Sequence, residues 1–316
     1  VFLLDSFEPV PAACRGAFLA VGNFDGVHRG HARLIGRLRD RAHAAGAKAI
    51  ALTFDPHPVA LLRPQAAPVP LTWTGRTAEL LRAAGADAVG VFRTGPWLLG
   101  LTAREFFDRV VLGQFAARGM VEGPTFGFGR DRGGDADLLA GWCDAAGLQF
   151  EVAAPTEFDG RIVSSSRIRA ALAAGDTAEA ALLLGRPHRV RGEVRPGAGR
   201  GAGLGFATAN LHGIDTQIPE NGVYAALAWL DEDDPARPGR PAAVHVGPNA
   251  TFGEGARTVE AHLIDFPHRP LYGRTVQLDF LDRLRGSRKF DGVPALLEQI
   301  RADVDRARSA CAAWTG

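Results

Sequence analysis

Apolar residues recur along this chain with two rhythms, and the change between them falls near Pro187. Before it, short apolar runs at 17–21, 47–54, 88–92, 117–122 and 149–153 alternate with amphipathic stretches at 32–45, 77–84, 102–112, 135–146, 165–174 and 177–184. Such runs read as strands, and strands that alternate with helices build a mainly parallel sheet covered on both faces. Within 32–45, Leu34, Ile35, Leu38 and Ala42 share one helical face, and Gly175 and Gly185 end the last two helices. After Pro187 the pattern shortens to β-like runs at 189–194, 222–230, 242–246, 258–265 and 274–281, separated by Gly, Pro and Asp, which predicts a small antiparallel barrel. Residues 231–241 (DEDDPARPGRP) read as a solvated hairpin loop. Residues 293–313 read as a helix whose stripe Leu296, Leu297, Ile300 and Val304 packs on the barrel. The expected fold class is therefore α/β in domain 1–186, followed by a β-barrel with a C-terminal helix in domain 187–316.

Composition narrows the function without choosing it. At 316 residues, 46% apolar and 22% charged, the chain has room for two ordinary domains. A net charge of +1 gives no general attraction for nucleic acid or an anionic membrane, so local sites must carry the function. Cys14, Cys143 and Cys311 are odd in number, far apart and without metal spacing, as expected of reduced, buried thiols. No apolar run approaches the roughly 18 residues of a membrane helix, and Asp5 and Glu8 interrupt the opening segment too early for a signal peptide. A soluble, cytoplasmic protein is expected, with no nucleic-acid or membrane partner, as a monomer or weak homo-oligomer.

Chemistry first appears in GNFDGVHRGH, residues 22–31, where an apolar strand turns into a helix. His28 and His31, three apart, can face the same way beside unpaired N–H groups and the positive end of the helix dipole. Gly26 and Gly30 let the backbone come close. Such a turn suits a phosphate. Zinc would need two further ligands that no nearby spacing supplies, and a plain helix-capping loop with incidental histidines is the bland reading. A second anion site is offered by RIVSSSRIR at 161–169, three hydroxyls and flanking guanidiniums before a helix, against the alternative that a serine merely caps that helix.

The motif order HxGH, TFDPHP at 53–58 and SSSRIR at 164–169 resembles the HxGH nucleotidyltransferases, and more narrowly the adenylyltransferase module of bacterial bifunctional riboflavin kinase/FMN adenylyltransferases, or FAD synthetases. GRGAGLGFATANL at 199–211, ENGVYAA at 220–226, VEAHLIDF at 259–266 and RKFDGVPALLEQIRADV at 288–304 resemble the riboflavin kinase barrel and its final helix. The resemblance implies a Rossmann-like first domain. It also implies two reactions: riboflavin and ATP give FMN and ADP, then FMN and ATP give FAD and pyrophosphate.

Carried over by residue, His28, His31 and Arg169 act on the α-phosphate. Gly22, Asn23, Gly30, Ser164, Ser165 and Ser166 contact ATP, and Phe24, Asp25, Phe54, Asp55, Pro56, His57, Thr125, Phe126 and Phe128 line the flavin side. In the second module Gly201 and Gly203 approach ATP, Thr208 and Asn210 hold Mg²⁺ and ATP phosphates, Glu260 is the general base, and Arg288 and Phe290 contact flavin.

Five positions depart from the family pattern. Ala207 replaces the proline of PTAN, residues 249–252 read NATF for RPTF, Thr125 replaces an Asn or Asp, and Ser166 a Thr. Two other readings stay open: one module degenerate or retuned to a modified flavin or other phosphorylated substrate, or a flavin-binding regulator without catalysis.

Overall fold

The computed structural model describes residues 1–197, 206–233, 238–248, 257–267 and 269–314. Contacts divide the chain into two compact units, residues 1–68 with 73–164 and residues 69–72 with 165–316.

In the first unit six strands form one parallel sheet: β1 (Phe2–Leu4), β2 (Phe18–Val21), β3 (Ala49–Asp55), β4 (Ala88–Arg93), β5 (Gly119–Glu122) and, after the small ribbon of β6 (Gly127–Phe128) and β7 (Gly134–Asp135), β8 (Gln149–Val152). Their order is β1-β4-β3-β2-β5-β8, so the chain winds outward from β2 in one direction and, from β5, in the other. Side chains alternate between faces as the pleat requires. Phe18 and Ala20 of β2 join the core under helix α1 (Arg29–Ala44), while Leu19 and Val21 join the core on the opposite face. Residues 102–112, expected as one helix, form a short α-turn, Ala103–Phe106, continued as a π-helix over Phe107–Gln114. A Thr102–Glu105 capping box starts it. A last ribbon pairs β9 (Glu157–Phe158) with β10 (Arg161–Ile162).

The second unit is a closed antiparallel barrel of β11 (His188–Arg195), β12 (Ala209–His212), β13 (Gly222–Leu230), β14 (Arg240–Gly247), β15 (Thr258–Leu263) and β16 (Thr275–Arg285), in the order β11-β12-β15-β14-β13-β16. Val190, Tyr224, Val244, Ala261 and Phe280 fill its interior. The C-terminal helix Val293–Ala313 covers the outer face of β13, β14 and β16 with Val304, Ala307 and Cys311. Helices Ser165–Ala174 and Thr177–Leu184 belong to this unit. Gln217 Nε2 donates to the Arg169 carbonyl, the Glu220 N–H to Leu172 O, and Thr177 Oγ1 to Leu281 O. The contact division therefore falls at Ser164/Ser165, whereas the composition changes at Pro187.

Candidate functional sites in two units

The segment after β2 folds tightly because several residues accept costly backbone angles. Phe24 and Val27 have φ of 46° and 38°, and Gly26 has φ of 82°. These turns deliver His28 to the N-cap of α1, where its Nδ1 accepts the N–H of His31 at 3.3 Å. The proton of a neutral His28 ring is thereby directed to Nε2. The two imidazoles stack with centroids 3.6 Å apart and planes 16° from parallel, and Phe24 stands edge-on to His31 at 5.3 Å. A Cβ at Gly30 would come within 3.1 Å of the His28 ring and 3.7 Å of Val163 O, the residue before Ser164. Glycine at 30 thus makes room for the ring. A Cβ at Gly22 would likewise meet the Phe24 ring at 3.2 Å, and the Asn23 carbonyl accepts from Thr53 Oγ1 at 3.1 Å. Asp25 is half-buried in the same turn.

Ser164 belongs to this first unit, whereas Ser165, Ser166 and Arg169 belong to the second. Arg169 Nε donates to the Val69 carbonyl at 3.0 Å, and its neighbour Arg167 pairs with Glu179 at 2.8 Å.

The four candidate phenylalanines do not gather in one place. Phe24 is buried in the α1-side core. On the opposite face Phe54, Phe92, Phe106, Phe128 and Phe126 form a ladder with successive centroid distances of 5.4, 6.3, 5.9 and 5.2 Å. Its half-buried ends are Phe54 and Phe126. Asp55 and Pro56 are joined by a cis peptide, and His57 caps the short helix Pro58–Leu62, its Nδ1 accepting from Val59 N–H at 3.1 Å. Thr125 is exposed, with its carbonyl 3.2 Å from Arg132 Nη2.

In the barrel, pairing register aligns one row of residues across strands. Asn210 lies opposite Arg195 and Glu260, and Glu260 lies opposite His245. Opposed residues share a face, and here it is the outer one, because Ala209, Ala261 and Val244 point inward. Thr208 sits two residues before Asn210, and both are half-buried. Glu260 Oε1 is 3.1 Å from Thr258 Oγ1, and the Nδ1 of His262, two residues further along β15, is 2.9 Å from the Ala207 carbonyl. Burial, opposed by the Glu260 charge, holds the His245 imidazole below its ordinary pKa.

Between β16 and the C-terminal helix, Arg288 donates to Gln299 and stands 4.7 Å over the Phe290 ring. Gln299 in turn donates to the buried Asp303, which pairs with Arg285 at 2.7 Å. Gly201, Gly203 and 249–252 lie outside the described residues.

Thr258, His245 and His262 were not singled out by motif reading. The period of two through 258, 260 and 262 was a usable signal, because alternate strand residues share a face.

Residues 10–167 match the FAD synthetase family and residues 184–311 the riboflavin kinase family. The chain is 38% identical to a bifunctional riboflavin kinase/FMN adenylyltransferase of Pseudomonas fluorescens over 94% of both chains. It is 31% identical to that of Escherichia coli K12 over 93% of this chain and 92% of the relative. A solved structure described as a macrolide-efflux protein from Streptococcus pneumoniae superposes with a TM-score of 0.84 at 27% identity, covering 99% of each chain. Among the described residues no helix is long and apolar enough to cross a membrane.

Proposed function

We propose a function from one premise: the chain belongs to the bifunctional riboflavin kinase/FMN adenylyltransferase family. It is an enzyme of FAD biosynthesis that phosphorylates riboflavin with ATP to FMN and adenylylates FMN with ATP to FAD. The observation that carries this reading is the stacked His28–His31 pair at the start of α1.

In the adenylyl step the FMN phosphate oxygen attacks the α-phosphorus, the bond to the β-phosphate breaks, and pyrophosphate leaves. Charge grows on the α-phosphate oxygens, where His28, His31 and the α1 N-terminus offer N–H donors and a positive dipole end. Ser164 supplies a further donor to the phosphates in this reading, and Gly22, Asn23 and Gly30 the backbone approach. The Phe54 and Phe126 ends of the ladder are the flavin-facing rings, and Asp55, Pro56 and His57 border them.

In the kinase step Glu260 takes the proton of the ribityl hydroxyl as that oxygen attacks the γ-phosphorus and ADP leaves. Thr258 orients the Glu260 carboxyl. Arg288 and Phe290 face the flavin. Mg²⁺ fits the donor set: Thr208 and Asn210 offer a hydroxyl and an amide carbonyl, hard oxygens that leave other positions for phosphate and water. The Asn210 amide also lies in a cradle that a Cβ at Gly197 would fill, approaching within 2.4 Å. When bound, the ion neutralises phosphate charge. Riboflavin, FMN and ATP are the partners; a net charge of +1 supplies no general attraction for nucleic acid or an anionic membrane, and three free, buried cysteines suit a cytoplasmic enzyme, which we take to be monomeric or weakly self-associating.

The test is incubation of the purified protein with riboflavin, Mg²⁺ and ATP, with flavins resolved by chromatography. Sequential FMN and FAD are expected. Neither product, in a folded protein, would refute the reading.

A further inference from the structure

The turn-over of winding direction places a crevice between β2 and β5, beyond the carboxyl ends of the strands, where open parallel sheets bind ligands. The two strands separate there. They pair at Phe18 with Gly119 and at Leu19 with Met120 and no further, although β2 stays paired to β3 through Val21 and β5 to β8 through Glu122. Splaying removes the backbone acceptor that Val21 N–H would otherwise find on β5, and a buried N–H without an acceptor is costly. A side chain takes its place: Glu122 Oε1 accepts the Val21 N–H at 2.8 Å across the gap. Glu122 is 2% exposed, and its own carbonyl accepts Ala153 N–H from beyond β8. Val21 is the last residue of β2, and Gly22 opens the turn to His28.

We propose that Glu122 is a positioning residue for adenylyl transfer, a buried carboxyl that bridges the splayed strands and fixes where the segment from Gly22 to His31 leaves the sheet. The proposal rests on the reading of that segment as the adenylylation site. Burial pushes the Glu122 carboxyl well above the usual range, and the Val21 hydrogen bond opposes that shift only in part. The titratable group facing it is the thiol of Cys143, on the helix Ala136–Ala145, itself pushed up to about 11 by burial and then by Glu122. Val21 contributes only its N–H, and among the described residues no cation acts on this carboxyl. Glu122 thus serves the fold as the acceptor that closes the gap between the two strands.

The experiment compares the wild type, Glu122→Gln and Glu122→Met, measuring FMN adenylylation as kcat and KM, and riboflavin phosphorylation in the same preparations. Glutamine keeps the acceptor and cannot ionise. Methionine of similar length removes the acceptor. The Met variant should lose roughly 10- to 100-fold in adenylylation kcat, as small misplacements of reacting groups do, with KM little changed and phosphorylation intact. The Gln variant should restore kcat, because its amide oxygen can still accept the Val21 N–H. Wild-type kcat in the Met variant, or equal loss in both variants, would overturn the proposal. If the Met variant does not fold, the Gln variant decides: an adenylylation kcat tenfold or more below the wild type, with phosphorylation intact, overturns it. Normal FAD formation by His28→Ala would instead sink the site assignment on which the proposal rests.

Discussion

The imidazole of His28 lies flat against that of His31, centroids 3.6 Å apart, because His28 caps the helix whose first turn carries His31. A hydrogen bond from His31 N–H to His28 Nδ1 and the space at Gly30 help to hold the stack. Both histidines therefore depend on a residue that has no side chain.

Gly30→Ala should lower FAD formation from FMN about tenfold by pushing the His28 ring off its stack, while the added methyl favours the helix by up to about 1 kcal/mol. Activity and helix stability would move in opposite directions. Equal turnover in the variant and the wild type would show that the stack is incidental.

Glu260→Gln preserves size but not basicity, and riboflavin phosphorylation should fall by roughly 10²-fold or more. FMN adenylylation should survive. Unchanged phosphorylation, measured as FMN released per enzyme, would make Glu260 an ordinary strand carboxylate.

His188 is buried, with its Nε2 2.6 Å from the Gln217 carbonyl, and burial pushes its pKa down to about 4. Between the ordinary value of 6.5 and that value the unfolded chain binds a proton that the folded barrel refuses. The stability is complete above pH 6.5 and is lost as pH falls toward 4, by about 3 kcal/mol at most. Urea midpoints of the barrel unit should drop between pH 7.5 and 5 on this scale, and less in His188→Asn. The same slope in both proteins would exclude His188 as the cause.

Ala207 precedes Thr208, and its carbonyl is held by His262, yet alanine leaves φ free where the family has proline. Ala207→Pro should therefore lower the KM for ATP or raise kinase kcat by preorganising Thr208, and Thr125→Asn should act on the adenylyl step alone. If both reversions reduce activity on riboflavin and FMN, the sites are tuned to a different flavin.

Where local chemistry decides an element, the sequence was enough to read it. Helix Thr177–Leu184 starts at the Asp176 cap and stops at Gly185, whose φ is 77°, and the helices at 165–174 and 293–313 also match their expected limits. The π-helix at Phe107–Gln114 was hidden, because Phe106, Phe107, Val110 and Val111 are all buried and give no single apolar stripe to count. Strand β12 was missed for another reason: four residues beside a Gly-rich run look like loop until a partner strand is known. The same limit applies to the sites. The spacing of His28 and His31 was visible along one segment, but the Asn210–Glu260–His245 row exists only through cross-strand register, and the separation of Phe24 from Phe54 and Phe126 only through the core each segment packs into.

Two reactions at two separate sites are separated most cleanly by the flavin products of His28→Ala supplied with riboflavin, ATP and Mg²⁺. FMN should form at the wild-type rate and accumulate, with FAD absent. Loss of FMN as well, in a protein that remains folded, or continued formation of FAD would contradict it.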